Sequence, residues 1–176
     1  LPPGVLLVAV SKKRTVEAIK ALYDLGHRDF GENYPQELRD KQPQLPEDIR
    51  WHFIGHLQSN KVKYLAPFVH LVHGADSRAL LDELDKRAAQ AGRTIDVLLQ
   101  VHIAQEETKH GFSPEDIAPL LVETPLERWK NIRFCGLMGM ASNTEDNAQV
   151  EAEYNGLAAL HWDYRFWRTS RSFPWA

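Results

Sequence analysis

The chain is short of cysteine, of methionine, of long apolar runs and of net charge. Its single cysteine, Cys135, excludes an internal disulfide and fits a reducing compartment, which points to the cytoplasm. No apolar run approaches the roughly 20 residues that span a bilayer, so no transmembrane segment is expected. The 21 basic and 24 acidic residues leave a net charge of −3 and no excess of positive charge to attract nucleic acid or anionic lipid. The first residues, Leu1-Pro2-Pro3-Gly4, have neither a basic stretch nor an initiator methionine. They do not read as a signal peptide, and the missing methionine suggests a chain cut or incomplete at its start.

What is present is a regular alternation. The 176 residues, 43% of them apolar, suit one globular domain with a real core. Leu6-Leu7-Val8-Ala9-Val10 reads as a buried strand running into Ser11-Lys12. Thr15 then caps a helix whose apolar face is Val16, Ile19, Leu22 and Tyr23, and Gly26 stops it. Further strands are expected over 29–33, 51–54, 69–72, 96–101 and 132–137. Helices are expected over 34–41, 57–65, from Ser77 to Gly92, from Ser113, and over 147–160. Six strand-then-helix units imply a parallel sheet. Units of roughly 25–30 residues are those of a (β/α)8 barrel, which takes about 250 residues, so this α/β chain holds about six of eight units.

If the strands wind as a barrel, their C-terminal ends share one face. It would carry Ser11 and Lys12, Glu32 and Asn33, His52 and His56, His73 and Asp76, His102 and Glu106, and residues 138–142. One amine among imidazoles, amides and carboxylates is a plausible pocket for a small polar ligand. A lysine at a dry barrel mouth has its free-base form favoured and can attack an aldehyde; an isolated lysine after a strand is more often simply solvated. His52/His56 and His70/His73 have metal-like spacing, but that spacing works on a helix and these residues fall at strand ends, so no metal is expected. Met138 and Met140 read first as core filling, and Cys135 as a buried structural thiol.

Several stretches together are similar to the pyridoxal phosphate homeostasis protein family, a group related to the N-terminal barrel of alanine racemase. They are Ala9-Val10-Ser11-Lys12, Phe30-Gly31-Glu32-Asn33-Tyr34, Trp51 through Lys61, Glu106 through Phe112, and Gly136 through Ala141. The resemblance covers most of residues 5 to 160. It implies a (β/α)8 barrel holding pyridoxal 5′-phosphate (PLP), with Lys12 as the Schiff-base lysine. It places Asn33, His52 and Met138 around the cofactor, and Glu106 and Lys109 on a charged loop near the mouth. It implies a role in binding, buffering or delivering PLP, with PLP-dependent apoenzymes as possible recipients, and no turnover. The alternatives are a PLP-dependent racemase or decarboxylase, an aldolase-like barrel using the same lysine, and a remnant that binds nothing.

The sequence departs from that pattern at its end. The family's Ser-Met-Gly-Met-Ser and Arg-Ile-Gly segments, which hold the PLP phosphate, are missing. Residues 161–176 are instead rich in Trp and Arg without helical or strand period. The division expected is a partial PLP-binding barrel over 1–160 and an aberrant tail over 161–176, compatible with a change of reading frame near Trp162. Loss of the phosphate donors would leave PLP binding weak or absent, and unpaired strand edges exposed.

Overall fold

A computed structural model describes residues 3–105, 110–123 and 128–164. In chain order they form β1 (Ala9–Val10), α1 (Val16–Asp24), β2 (Asp29–Glu32), α2 (Pro35–Lys41), β3 (Arg50–Phe53), a 3-10 helical stretch (Ser59–Tyr64), β4 (Leu71–Ala75) and α3 (Arg78–Gln90). Then come β5 (Ile95–Gln100), α4 (Pro114–Ala118), a π-helical segment (Pro119–Glu123), β6 (Ile132–Met138) and α5 (Asn147–Tyr164).

The six strands form one sheet in the order β1-β2-β3-β4-β5-β6, every pair parallel. An unbroken sequential order is barrel winding; a doubly wound sheet reverses at a switch point. The fold is an incomplete (β/α)8 barrel, as the repeated strand-helix units imply.

Alternation along the strands divides the side chains between two faces. Phe30, Trp51, Phe53, Val72, Val97 and Leu99 are buried with Ile19 of α1, Leu38 of α2 and Leu80, Leu81, Leu84 and Ala88 of α3. The residues between them, Asp29, Arg50, His52, Asp96 and Arg133, form a polar lining on the other face, where ion pairs join adjacent strands. The helix starts are as expected from their caps: Thr15 Oγ1 accepts from Ala18 N, Ser77 Oγ from Leu80 N and Ser113 Oγ from Asp116 N. Each such cap is worth about 1 kcal/mol.

The structure refines several of these expectations. The apolar run 6–10 is not a buried strand throughout: only Ala9 and Val10 pair, and Leu6, Leu7 and Val10 are more than half exposed. β1 has a strand neighbour on one side only, so nothing among the described residues covers the rest. The short helix expected over 57–65 is a 3-10 helix over Ser59–Tyr64, the helix capped by Ser113 runs for five residues and passes into the π-helical segment, and the strand expected over 69–72 is shifted to Leu71–Ala75. The last helix continues to Tyr164, past the expected end at Leu160; residues 165–176 of the expected tail lie outside the described residues. No helix among the described residues is long and apolar enough to cross a membrane.

Candidate site at the strand ends

The chain leaves β1 through a tight turn in which Arg14 N donates to Ser11 O at 3.0 Å. Lys13 takes a left-handed conformation there, φ +59°, which a non-glycine residue adopts only when its surroundings hold it. They do: Lys13 N donates to Glu37 Oε1 at 2.6 Å. The Lys41 ammonium, nearly buried, donates to Ser11 O at 2.8 Å, Glu32 Oε1 at 2.7 Å and Glu37 Oε1 at 2.6 Å. All three ammonium protons are thereby used. Ser11 Oγ adds a bond to Glu32 Oε1 at 2.7 Å. This cluster locks the turn that presents Lys12.

Lys12 is exposed, and it makes no hydrogen bond or ion pair with the described residues. The sheltered amine expected from the sequence is thus not sheltered by these six strands, because β1 is the outer strand of the sheet. The β1–β2 register pairs Val10 with Gly31, so Lys12 and Asn33 each stand two residues beyond that pair, past the ends of the two neighbouring strands. Asn33 Oδ1 is buried without a partner. A buried acceptor lacking a donor costs about 1–3 kcal/mol, so a ligand bringing a donor would be favoured there. Gly55 explains the close packing beside it: a Cβ on Gly55 would lie 2.6 Å from Asn33 O.

His52, fully buried, is committed below this level. Its Nε2–H donates to Asp29 Oδ1 at 3.1 Å, and its Nδ1 accepts from His73 Nε2–H at 2.9 Å. The ionised carboxylate accepts only, which sets both tautomers. Arg50 Nε also binds Asp29, at 2.7 Å. Burial pushes the Asp29 carboxyl up, but hydrogen bonds from Arg50 and His52 and the Arg50 charge outweigh it and the net displacement is downward. Burial holds His52, His70 and His73 below the usual imidazole range, His73 at about 4; neighbouring imidazoles add to it for His52 and His73, and the Arg50 and Arg93 charges for His70. The three rings are therefore neutral near pH 7.

Met138 ends β6 opposite Gln100 and is half-buried. Burial raises the Cys135 thiol to about 11, in keeping with a structural residue. Glu106 and Lys109 lie outside the described residues. A shallow cavity of about 330 Å³ opens between β1 and α1, lined by Val10, Arg14, Leu22 and Phe30 among others, but not by Lys12, Asn33 or His52. It marks the uncovered flank of β1 and not the face where the polar groups converge.

The sequence barely marks the clamp formed by Ser11, Glu32, Glu37 and Lys41. Its trace in the sequence is the i,i+4 pair Glu37–Lys41 on α2, but such pairs are usually solvated, and only the fold turns this one inward.

The family model for the alanine racemase N-terminal domain matches residues 1–165. The chain belongs to that family. Among curated relatives, the pyridoxal phosphate homeostasis protein of Aquifex aeolicus is 39% identical over 155 residues, covering 88% of this chain and 67% of the relative. That of Pseudomonas aeruginosa is 36% identical over 160 residues, covering 90% and 69%. The chain thus spans about two thirds of the length of these relatives. Among solved structures, PipY of Synechococcus elongatus without PLP superposes with a TM-score of 0.86 at 33% identity, covering 97% of this chain and 78% of PipY. PipY with PLP bound gives 0.82 at 32%. The alanine racemase of Streptomyces lavendulae, at 16% identity and a TM-score of 0.75, shares the fold.

Proposed function

We propose that this chain is a cytoplasmic PLP-binding protein that holds, buffers or delivers the cofactor, with the ligand at the strand ends beside Lys12. PLP would supply there an aldehyde that an amine can capture reversibly. Lys12 is assigned the capturing amine, because the locked turn holds it beside β2 and no described residue competes for it. Asn33 would receive a donor from the ring with its unpartnered Oδ1. Met138 would pack against the ligand from the end of β6. His52 has both ring nitrogens engaged, so its part is to hold the pocket floor in a neutral, fixed arrangement. We place this site within residues 1–160 and assign residues 161–176 no part in it. The relatives named for PLP homeostasis, and PipY with PLP bound, support the reading. PLP-dependent apoenzymes are the recipients such a carrier would serve.

The observation that carries the proposal is the uncommitted Lys12 just past the end of β1, with the orphaned acceptor of Asn33 just past the end of the neighbouring β2. Without the phosphate-holding segments binding should be weak, so PLP is added to the purified chain in large excess; a new visible absorption band should then appear, and borohydride should convert it to a stable adduct that peptide mass mapping places on Lys12. Lys12→Ala should give neither. An unchanged band in Lys12→Ala, or an adduct on another lysine, refutes the assignment.

A further inference from the structure

We propose that His56, Asp76 and His110 form a divalent-cation site, suited to Zn²⁺, on the rim of the strand ends. The residues come from three separate loops, after β3, after β4 and after β5. Their ligand atoms nevertheless all lie within 4.8 Å of one another. His56 Nδ1 is 2.9 Å from Asp76 Oδ2, and the His56 and His110 rings stack with centroids 4.1 Å apart and planes 16° from parallel.

Four-coordinate zinc with bonds of about 2.0–2.1 Å places its ligand atoms about 3.3 Å apart. Asp76 is the fixed ligand, its side chain 9% exposed, whereas His56 is 47% exposed and its ring can turn. His110 is exposed as well. Closing the triangle therefore needs only rotation of two solvated rings. Two imidazoles and a carboxylate match the nitrogen and oxygen donors that zinc takes, and the fourth position is left to water or a ligand.

The backbone beneath these residues is built tightly enough to hold them. A Cβ on Gly55 would strike Asn33, and one on Gly74 would lie 3.1 Å from Gly55 O and 3.0 Å from Gln100 Oε1. Gln100 in turn donates from Nε2 to His110 O at 2.8 Å. Gly111, at φ +140°, brings the chain so close that a Cβ would be 2.7 Å from His102 N. One run of close contacts through Gly55, Gly74 and Gln100 thus sets where His56, Asp76 and His110 stand. No two members of the group are near in sequence, so ligand spacing along the chain does not reveal it.

This inference does not rest on PLP binding. The test uses the purified chain, stripped with chelator and kept free of PLP, which complexes cations itself. Zn²⁺ is titrated by calorimetry and Co²⁺ by visible absorption. One equivalent should bind, with the intense bands of four-coordinate Co²⁺. His56→Ala and His110→Ala, both at exposed positions and checked for native circular dichroism, should each weaken Zn²⁺ binding about 100-fold. His27→Ala and Lys12→Ala should leave it unchanged. No binding, a stoichiometry other than one, or the unsubstituted chain's affinity retained in His56→Ala or His110→Ala overturns the proposal, and the Lys12 result separates it from the PLP reading.

Discussion

Lys41, the last residue of α2, donates from Nζ to the carbonyl oxygen of Ser11, the residue before Lys12, at 2.8 Å. The contact joins residues 30 apart in sequence. It makes a buried ammonium the anchor of the turn that carries the proposed PLP lysine.

Lys41→Met should therefore be severe. It strands the Glu32 carboxylate, which has no exposed surface and already has one oxygen unpartnered. Removing one member of a buried pair costs about 3–5 kcal/mol. Urea denaturation should record that loss, and the Lys12 adduct with PLP should weaken in parallel. The double change Lys41→Met with Glu32→Gln should be milder than Lys41→Met alone; a double variant no more stable than the single one argues against the clamp.

Stability should fall as the solution is acidified from about pH 6.5 towards pH 4. His52, His70 and His73 all protonate less readily in the folded chain than in the unfolded one, His73 near 4. Between those values the unfolded chain binds more protons, so acid favours it; above about pH 6.5 the full stability is present. His73 alone is worth on the order of 3 kcal/mol across that window. Asp29, whose carboxyl is displaced downward, contributes stability that is fully present above the carboxylate range and is lost only as the pH falls below it. Melting temperatures measured from pH 4 to 7.5 should show the slope, and His73→Gln should flatten it.

Two glycines should respond oppositely to alanine. Gly55→Ala places a methyl 2.6 Å from Asn33 O, and relieving that overlap should cost about 1–3 kcal/mol and loosen the PLP band through Asn33. Gly156 lies within α5 with nothing within 4 Å of the added methyl. There alanine should stabilise by about 0.5–1 kcal/mol, since it costs less entropy to order in a helix. Thermal melts of the pair distinguish close backbone contact from helix propensity.

The Cys135 thiol, raised by burial to about 11, should react slowly with iodoacetamide at pH 8 in the native chain and rapidly in urea. Equal rates in the two states would contradict a packed β6.

The sequence by itself determined the order of elements and the class of fold. Apolar periodicity, the caps Thr15, Ser77 and Ser113, and the stops Gly26 and Gly92 are local signals, and the parallel alternating sheet follows from them. It also placed Lys12 and Asn33 at strand ends, since that depends only on where β1 and β2 stop. Tertiary structure decided which side chains meet. Lys41 with Ser11 and Glu32, His52 with Asp29 and His73, and His56 with Asp76 and His110 are joined across distant positions. It decided too that Lys12 is exposed and that Leu6 and Leu7 remain uncovered, because burial on β1 depends on what lies beside an outer strand. Periodicity tells which face a residue takes; the charge state and partners of that residue depend on what the rest of the chain brings against it.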